Sequence, residues 1–128
     1  MKILLIEDEP HVRIVLSRSL AAWGYQVEEQ ATARDALAAA QTSHCDLLIL
    51  DVNLPDATGW DVLRGLPATG CGRTPVVVIS AVPPSVSRLR EFQPFGVLHK
   101  PFPIEALHRL VRSAESGDPA SVVGSELD

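Results

Sequence analysis

Two short runs of apolar residues, at positions 3–6 and 47–50, each end directly in acidic residues. Glu7 and Asp8 follow the first run, and Asp51 follows the second. A short apolar run bounded by polar residues is typical of a strand buried on both faces, and such strands belong to parallel sheets covered by helices. Because sites in open parallel sheets form beyond the carboxyl ends of the strands, the sequence predicts an acidic cluster at one sheet edge. Clustered carboxylates favour a hard divalent cation such as Mg2+.

Length and composition exclude several classes of protein. The 128 residues fit a single domain, and no stretch approaches the roughly 20 apolar residues of a membrane span, so we expect no membrane association. The net charge is −5 and the Lys and Arg residues are scattered, which argues against direct contact with nucleic acid. The N-terminus lacks the features of a secretory signal, which predicts a cytoplasmic location, and we expect Cys45 and Cys71 to be reduced thiols.

Strand and helix patterns alternate along the chain, which predicts a doubly wound α/β domain with helices on both faces of the sheet. Prolines at 83, 84 and 94 leave only 85–93 for the fourth helix, so we expect that helix to be short or irregular. Residues 95–99 predict a fifth strand, and an amphipathic helix begins near Ile104. From 116 to 128 the composition predicts a flexible C-terminal tail or the start of a linker.

The ends of the predicted strands carry a recognisable set of motifs. In chain order these are Ile-Glu-Asp-Glu at 6–9, Leu-Asp-Val-Asn-Leu-Pro at 50–55 followed by Gly59, Val-Ile-Ser-Ala at 78–81 and His-Lys-Pro-Phe at 99–102. Taken together, they closely resemble the receiver domain of bacterial two-component response regulators. The resemblance covers residues 1–115 and implies a five-stranded, flavodoxin-like receiver fold.

The resemblance also implies a phosphoryl-transfer chemistry for particular residues. Asp51 corresponds to the carboxylate that accepts a phosphoryl group from a phosphohistidine, carried by a sensor histidine kinase or a phosphotransfer protein. Lys100 would bind a phosphoryl oxygen, and the hydroxyl of Ser80 would hydrogen-bond the attached group. These roles agree with the needs of phosphoryl transfer, which depends on positioning and charge neutralisation.

A Mg2+ site is the second implication of the resemblance. Asp8 and Asp51 would bind Mg2+ directly, the main-chain carbonyl of Asn53 would complete the protein ligands, and Glu7 would act through a bound water. In this family the domain is a regulatory phosphoacceptor with self-catalysed phosphotransfer and autodephosphorylation, and not an enzyme with a separate substrate. The expected output is altered affinity for a downstream effector protein, and a homodimer remains an open alternative.

The chain departs from the family at one position, which in other receivers transmits the phosphorylation signal. Receivers usually have an aromatic residue three positions before the lysine, whereas this chain has Val97. A β-branched valine has no comparable swing, so we hypothesise that any switch relies on the 81–94 segment. Because that segment is also shortened, the dimer geometry of the family is not carried over.

Two other functions compete with the phosphoacceptor interpretation. One is a receiver-like interaction module that is never phosphorylated, which the absent aromatic residue and the shortened segment would both permit. The other is a phosphohydrolase with an aspartyl nucleophile, but such enzymes usually place a general acid two residues after the nucleophile, where this chain has Asn53. The combination of Asp8, Asp51, Ser80 and Lys100 favours the phosphoacceptor.

Overall fold

The computed structural model describes residues 1–117, which form one parallel sheet covered by helices on both faces. Five strands lie in the spatial order β2-β1-β3-β4-β5, and all neighbouring pairs are parallel. Their bounds are β1 (Lys2–Ile6), β2 (Gln26–Gln30), β3 (Leu47–Asp51), β4 (Val76–Ser80) and β5 (Gly96–His99). The predicted doubly wound, five-stranded α/β fold is therefore confirmed.

Four α-helices connect the strands and a fifth follows β5: α1 (Pro10–Ala22), α2 (Ala33–Thr42), α3 (Gly59–Gly65), α4 (Val86–Phe92) and α5 (Ile104–Ser116). A short 3-10 turn, Leu66–Ala68, extends α3. Helices α1 and α5 pack on one face of the sheet, while α2, α3 and the end of α4 pack on the other. None of the helices described here has the length and apolar character required to span a membrane.

Alternate residues of the central strands supply the two halves of the core. In β1, Ile3 and Leu5 face α1 and α5, whereas Leu4 and Ile6 face α2 and α3. All four are at most 3% exposed, as a strand buried on both faces requires. The register pairs Ile6 with Leu50, so Glu7 and Asp51 follow at the same edge of the sheet.

Local sequence signals determine where the helices begin and end. The Glu9 side chain accepts the backbone N–H of His11 at the start of α1, and Pro10 occupies the first helical turn. The turn after α1 contains Gly24 with a φ of 98°, a left-handed conformation that glycine adopts without steric cost. At α3, Thr58 and Asp61 form a reciprocal capping box.

The fourth helix is short, as predicted, and it is weakly attached to the core. It has seven residues, none of them fully buried, and it ends at Gln93 in a left-handed conformation just before Pro94. Its main contact is Phe92, whose ring stacks on Trp60 of α3 at 5.4 Å between centroids. The final helix extends one residue past the predicted domain boundary of 115, and the predicted tail from 118 onward lies outside the described residues.

Gly59 lets the start of α3 approach the end of β3. A Cβ atom at this position would lie 2.8 Å from the carbonyl oxygen of Asp51 and 3.0 Å from the Cα of Val52. Because both neighbours are main-chain atoms, they cannot move aside without displacing the loop that carries Asp51. This close approach is what brings the loop after β3 back against the sheet.

We expect Gly59→Ala to lower the free energy of unfolding by about 1–3 kcal/mol, the usual cost of overpacking. The matched control is Gly70→Ala, because a Cβ at Gly70 would meet its nearest atom at an ordinary 3.7 Å. Urea unfolding of both variants measures the difference. Equal stability of the two variants would contradict the steric argument.

Candidate functional site

Three acidic side chains converge at the carboxyl ends of β1 and β3. Carboxylate oxygens of Glu7, Asp8 and Asp51 all lie within 4.8 Å of one another. Glu7 is fully buried and Asp51 is only 4% exposed, whereas Asp8 is open to solvent. The structure therefore brings together the acids that the sequence predicted, with one of them accessible at the mouth of the cluster.

Lys100 joins the two buried acids from the end of β5. Its Nζ lies 2.9 Å from Oε1 of Glu7 and 2.8 Å from Oδ2 of Asp51. Its backbone N–H donates to the carbonyl of Ser80 at 2.9 Å, which aligns the residue with the end of β4. The ammonium group compensates the two carboxylates, and this pairing makes their burial tolerable.

The loop after β3 holds the second oxygen of Asp51. The backbone N–H of Asn53 donates to Oδ1 of Asp51 at 2.9 Å, and Asn53 forms an isolated antiparallel bridge with Thr58. Farther along, both oxygens of Asp56 accept the first backbone N–H groups of α2, those of Ala33 and Arg34. The Asn53 backbone N–H and the Lys100 ammonium group thus each hold one oxygen of the Asp51 carboxylate.

Arg13 is a contributor to the site that the sequence patterns did not reveal. Its Nη1 donates to the carbonyl of Glu7 at 2.9 Å and to that of Asp8 at 3.3 Å, so it holds the main chain carrying both acids. Its Nε also lies 3.5 Å from Glu29 of β2. The one available sequence signal was a cation in the first turn of the helix that follows the acids.

Ser80 lies at the same sheet edge and is 7% exposed. Its hydroxyl donates to the carbonyl of Val82 and accepts the Val82 backbone N–H at 3.1 Å. The hydroxyl is therefore committed to the turn after β4 in this structure, and not to an acid. Val82 itself is 71% exposed, so its own side chain adds little packing to this turn.

Burial changes the protonation of the cluster. Desolvation, together with a hydrogen bond to Asp51, raises the pKa of Glu7 from 4.5 to about 7, although the nearby Lys100 ammonium opposes the rise. For Lys100, desolvation lowers the pKa, but the hydrogen bonds to Asp51 and Glu7 outweigh it and raise the pKa overall. Without a further cation, the cluster therefore retains a proton on Glu7 more readily than an exposed glutamate would.

The donor set fits a hard divalent cation. The oxygens of Glu7, Asp8 and Asp51 form an acidic group that could hold a metal ion. Carboxylate oxygens, one of them exposed, suit Mg2+, which usually retains several water molecules and binds through one or two carboxylates. The single lysine leaves the three acids undercompensated when all are ionised, and a divalent ion would remove that excess charge.

We expect the metal-free protein to lose stability as the pH rises from about 4.5 to about 7, relative to a Glu7→Gln variant. Between these values the folded state binds more protons at Glu7 than the unfolded chain does, so the free energy of unfolding falls with increasing pH. Glutamine mimics the protonated acid and removes this slope. Urea unfolding in the presence of a chelator measures it at several pH values.

The control for this experiment is Glu105→Gln, at an exposed acid in the first turn of α5. This variant should follow the wild-type pH profile. Parallel profiles for wild type and Glu7→Gln would show that Glu7 has no raised pKa.

Comparison with known proteins agrees with this architecture. The family model of the response regulator receiver domain matches residues 3–112. The chain is 35% identical to the probable transcriptional regulatory protein SilR of Salmonella typhimurium, over 99% of this chain and 56% of SilR. It is 44% identical to the transcriptional regulatory protein KdpE of Mycobacterium tuberculosis, over 62% of this chain and 34% of KdpE. The chain thus spans about half the length, or less, of these curated relatives.

A solved structure extends the likeness to three dimensions. The chemotaxis response regulator CheY4 of Vibrio cholerae superposes with a TM-score of 0.81 at 29% identity, covering 88% of this chain and 97% of that protein. The family match, the relatives and the fold all point to one assignment. This chain belongs to the response regulator receiver domain family.

Proposed function

We propose that the chain is a phosphoacceptor switch in which Asp51 accepts a phosphoryl group from a phosphohistidine. The donor is a sensor histidine kinase or a phosphotransfer protein. The observation that carries the proposal is the position of the Asp51 carboxylate, nearly buried but within 4.8 Å of the exposed acid Asp8 and bonded to Lys100 at 2.8 Å. A nucleophile, an open metal ligand and a cation thus share one sheet edge.

In the proposed transfer, a carboxylate oxygen of Asp51 forms the new P–O bond while the P–N bond to the donor imidazole breaks. Asn53 and Lys100 each hold one oxygen of the Asp51 carboxylate, so its orientation is set before the donor arrives. Lys100 then moves its hydrogen bond from Asp51 to a phosphoryl oxygen. Such preorganisation supplies most of the catalysis in phosphoryl transfer.

We propose that Mg2+ is the cofactor, with Asp8 and Asp51 as direct ligands, the main-chain carbonyl of Asn53 as a third, and Glu7 acting through water. When bound, Mg2+ would neutralise charge on the transferring phosphoryl group. Asp8 is the natural entry point because it alone among the three acids is exposed. Arg13 keeps Glu7 and Asp8 in place by holding their carbonyl groups.

The change after phosphorylation would pass through Ser80. A phosphoryl group on Asp51 would compete with the Val82 carbonyl for the Ser80 hydroxyl, which releases the turn after β4. Val97 is 5% exposed and lies in β5 beside Val78, where it cannot take the part of a rotating aromatic residue. The 81–94 segment is therefore the proposed route of the signal.

The output we propose is altered affinity for a downstream effector protein. SilR and KdpE are transcriptional regulatory proteins, and this chain matches only part of each. We infer that the effector of this receiver also regulates transcription, through contact with the receiver and not through DNA contacts of the receiver itself. The scattered positive charge and the net charge of −5 support the inference that the receiver itself does not contact DNA.

Intact-mass spectrometry with acetyl phosphate tests the phosphoacceptor. Wild type should gain one phosphoryl group with Mg2+ and none with a chelator, and Asp51→Asn should gain none. Asp8→Asn should require at least about tenfold more Mg2+. Loss of a residue that only hydrogen-bonds a metal ligand already lowers metal affinity by about that factor, and Asp8 is a proposed direct ligand. The control is Asp35→Asn, at an exposed acid on α2, which should behave as wild type. No gain by wild type under any condition would favour the unphosphorylated interaction module.

Amide hydrogen exchange tests the proposed route through Ser80. Phosphorylation of wild type should speed exchange at the Val82 N–H, because that group loses its acceptor. In Ser80→Ala, exchange at the Val82 N–H should already be fast before phosphorylation and should change little after it. Phosphorylation of Asp51 should still occur in this variant. The control is Ser87→Ala, at an exposed position of α4. A normal response in Ser80→Ala would contradict this route.

A further inference from the structure

Two buried cysteines meet at the sheet edge opposite the acidic cluster. Cys45 precedes β3, and Cys71 lies in the loop between the 3-10 turn and β4. Both are free thiols, as the sequence analysis expected, but their sulfur atoms lie only 3.1 Å apart. No sequence pattern predicts this contact, because 26 positions separate the two residues.

We propose that Cys45 and Cys71 are a site of oxidative cross-linking, which forms an intramolecular disulfide when the protein meets a small-molecule disulfide. The geometry needs little change. A disulfide bond is about 2.05 Å long, so the sulfurs must approach each other by about 1 Å. Neither cysteine lies in a regular helix or strand, so neither is held by the hydrogen bonds of such an element.

The alternative role is simple packing. Buried cysteine behaves as a small apolar side chain, and both residues belong to the core cluster beneath α2 and α3. Packing alone does not require the sulfurs to touch, however. Around the pair, Thr74 donates to the Cys45 carbonyl at 3.0 Å, and Cys71 Sγ lies 3.5 Å from the Ser43 carbonyl. These contacts hold the two cysteine-bearing segments against each other.

Access to the pair would depend on the loop that carries Cys71. Gly70 and Gly72 on either side are exposed, whereas Cys71 is 1% exposed and Cys45 is 2% exposed. Burial also raises the pKa of Cys45 to about 12, so its thiol stays protonated while the loop is closed. Local opening of this surface loop would expose both thiols, and the reaction rate would follow that opening.

The chemistry balances in two exchange steps. The deprotonated thiol of Cys71 attacks a small disulfide, forms a mixed disulfide and expels one thiolate. The deprotonated thiol of Cys45 then attacks the Cys71 sulfur and expels the second thiolate. In total the protein loses two protons and two electrons, and the small disulfide gains them to become two thiols.

Such a cross-link would join the start of β3 to the loop before β4. It would close a loop containing β3 and α3, which restricts the unfolded chain and raises the melting temperature. Asp51 lies six residues beyond Cys45, about 20 Å along the strand direction at roughly 3.3 Å per residue. We therefore expect the oxidised chain to be stabilised while its acidic cluster stays intact.

The test treats the full reduced chain with oxidised glutathione. The expected product has lost two hydrogens, carries no glutathione and yields a peptide cross-linked between Cys45 and Cys71. Its melting temperature should rise by at least about 5 °C and fall again with dithiothreitol. Cys45→Ala and Cys71→Ala should show no such rise, and at most should carry a single glutathione adduct.

A second measurement does not depend on access of glutathione to the buried thiols of the native protein. Refolding the denatured chain in a glutathione redox buffer reaches equilibrium without any opening of the native loop. Disulfide formation by either route supports the proposal. Recovery of two thiols by both routes, or only adducts and intermolecular dimers, would overturn it. Because neither readout involves phosphorylation, failure here is distinguishable from failure of the phosphoacceptor.

Discussion

The ion pairing of Lys100 with Glu7 and Asp51 is the interaction on which the arrangement of the strand ends depends. Two carboxylates, of Glu7 and Asp51, are withdrawn from water at the ends of neighbouring strands, and burial of unpaired charge would be prohibitive. Lys100 reaches them from β5, past the end of β4, and satisfies both within 2.9 Å. Two small residues, Ser80 and Ala81, lie at the end of β4, the strand between β5 and β3. The ion pairs thus link the ends of β1, β3 and β5. The site forms only with this strand order, and the ion pairs in turn stabilise that order.

A parallel sheet gives the two edges of this domain different chemistry. All carboxyl ends of the strands meet at one edge, which collects the acids, Lys100 and Ser80. The opposite edge collects the segments that enter the strands, and there Cys45 and Cys71 lie in contact. The core between them consists of buried apolar residues, and the two sites have no side chain in common. We therefore expect the proposed phosphorylation and the proposed cross-link to occur independently.

The region proposed to transmit the signal is also the one with the weakest attachment. Helix α4 has no fully buried side chain, and it contacts α3 through the Phe92 ring and through a surface ion pair of Glu91 with Arg64. Exposed ion pairs contribute little stability, so the stacking of Phe92 on Trp60 is its main anchor. An element held this loosely can shift at low free-energy cost. Helix α4 is therefore the element we expect to move in the proposed switch, which lacks the usual aromatic residue.

The sequence by itself determined the elements and the edge at which the site forms. Apolar runs at 3–6 and 47–50 were sufficient to predict buried strands, and the residues after them were sufficient to predict which acids meet, since parallel strands end at a common edge. The prolines around 85–93 correctly predicted a short fourth helix. Only the tertiary structure decided the bridge from Lys100 to Glu7 and Asp51, the support from Arg13 and the raised pKa of Glu7. It also decided the meeting of the two cysteines. These features depend on distances between residues far apart in the chain, which strand order and register set and local patterns do not contain.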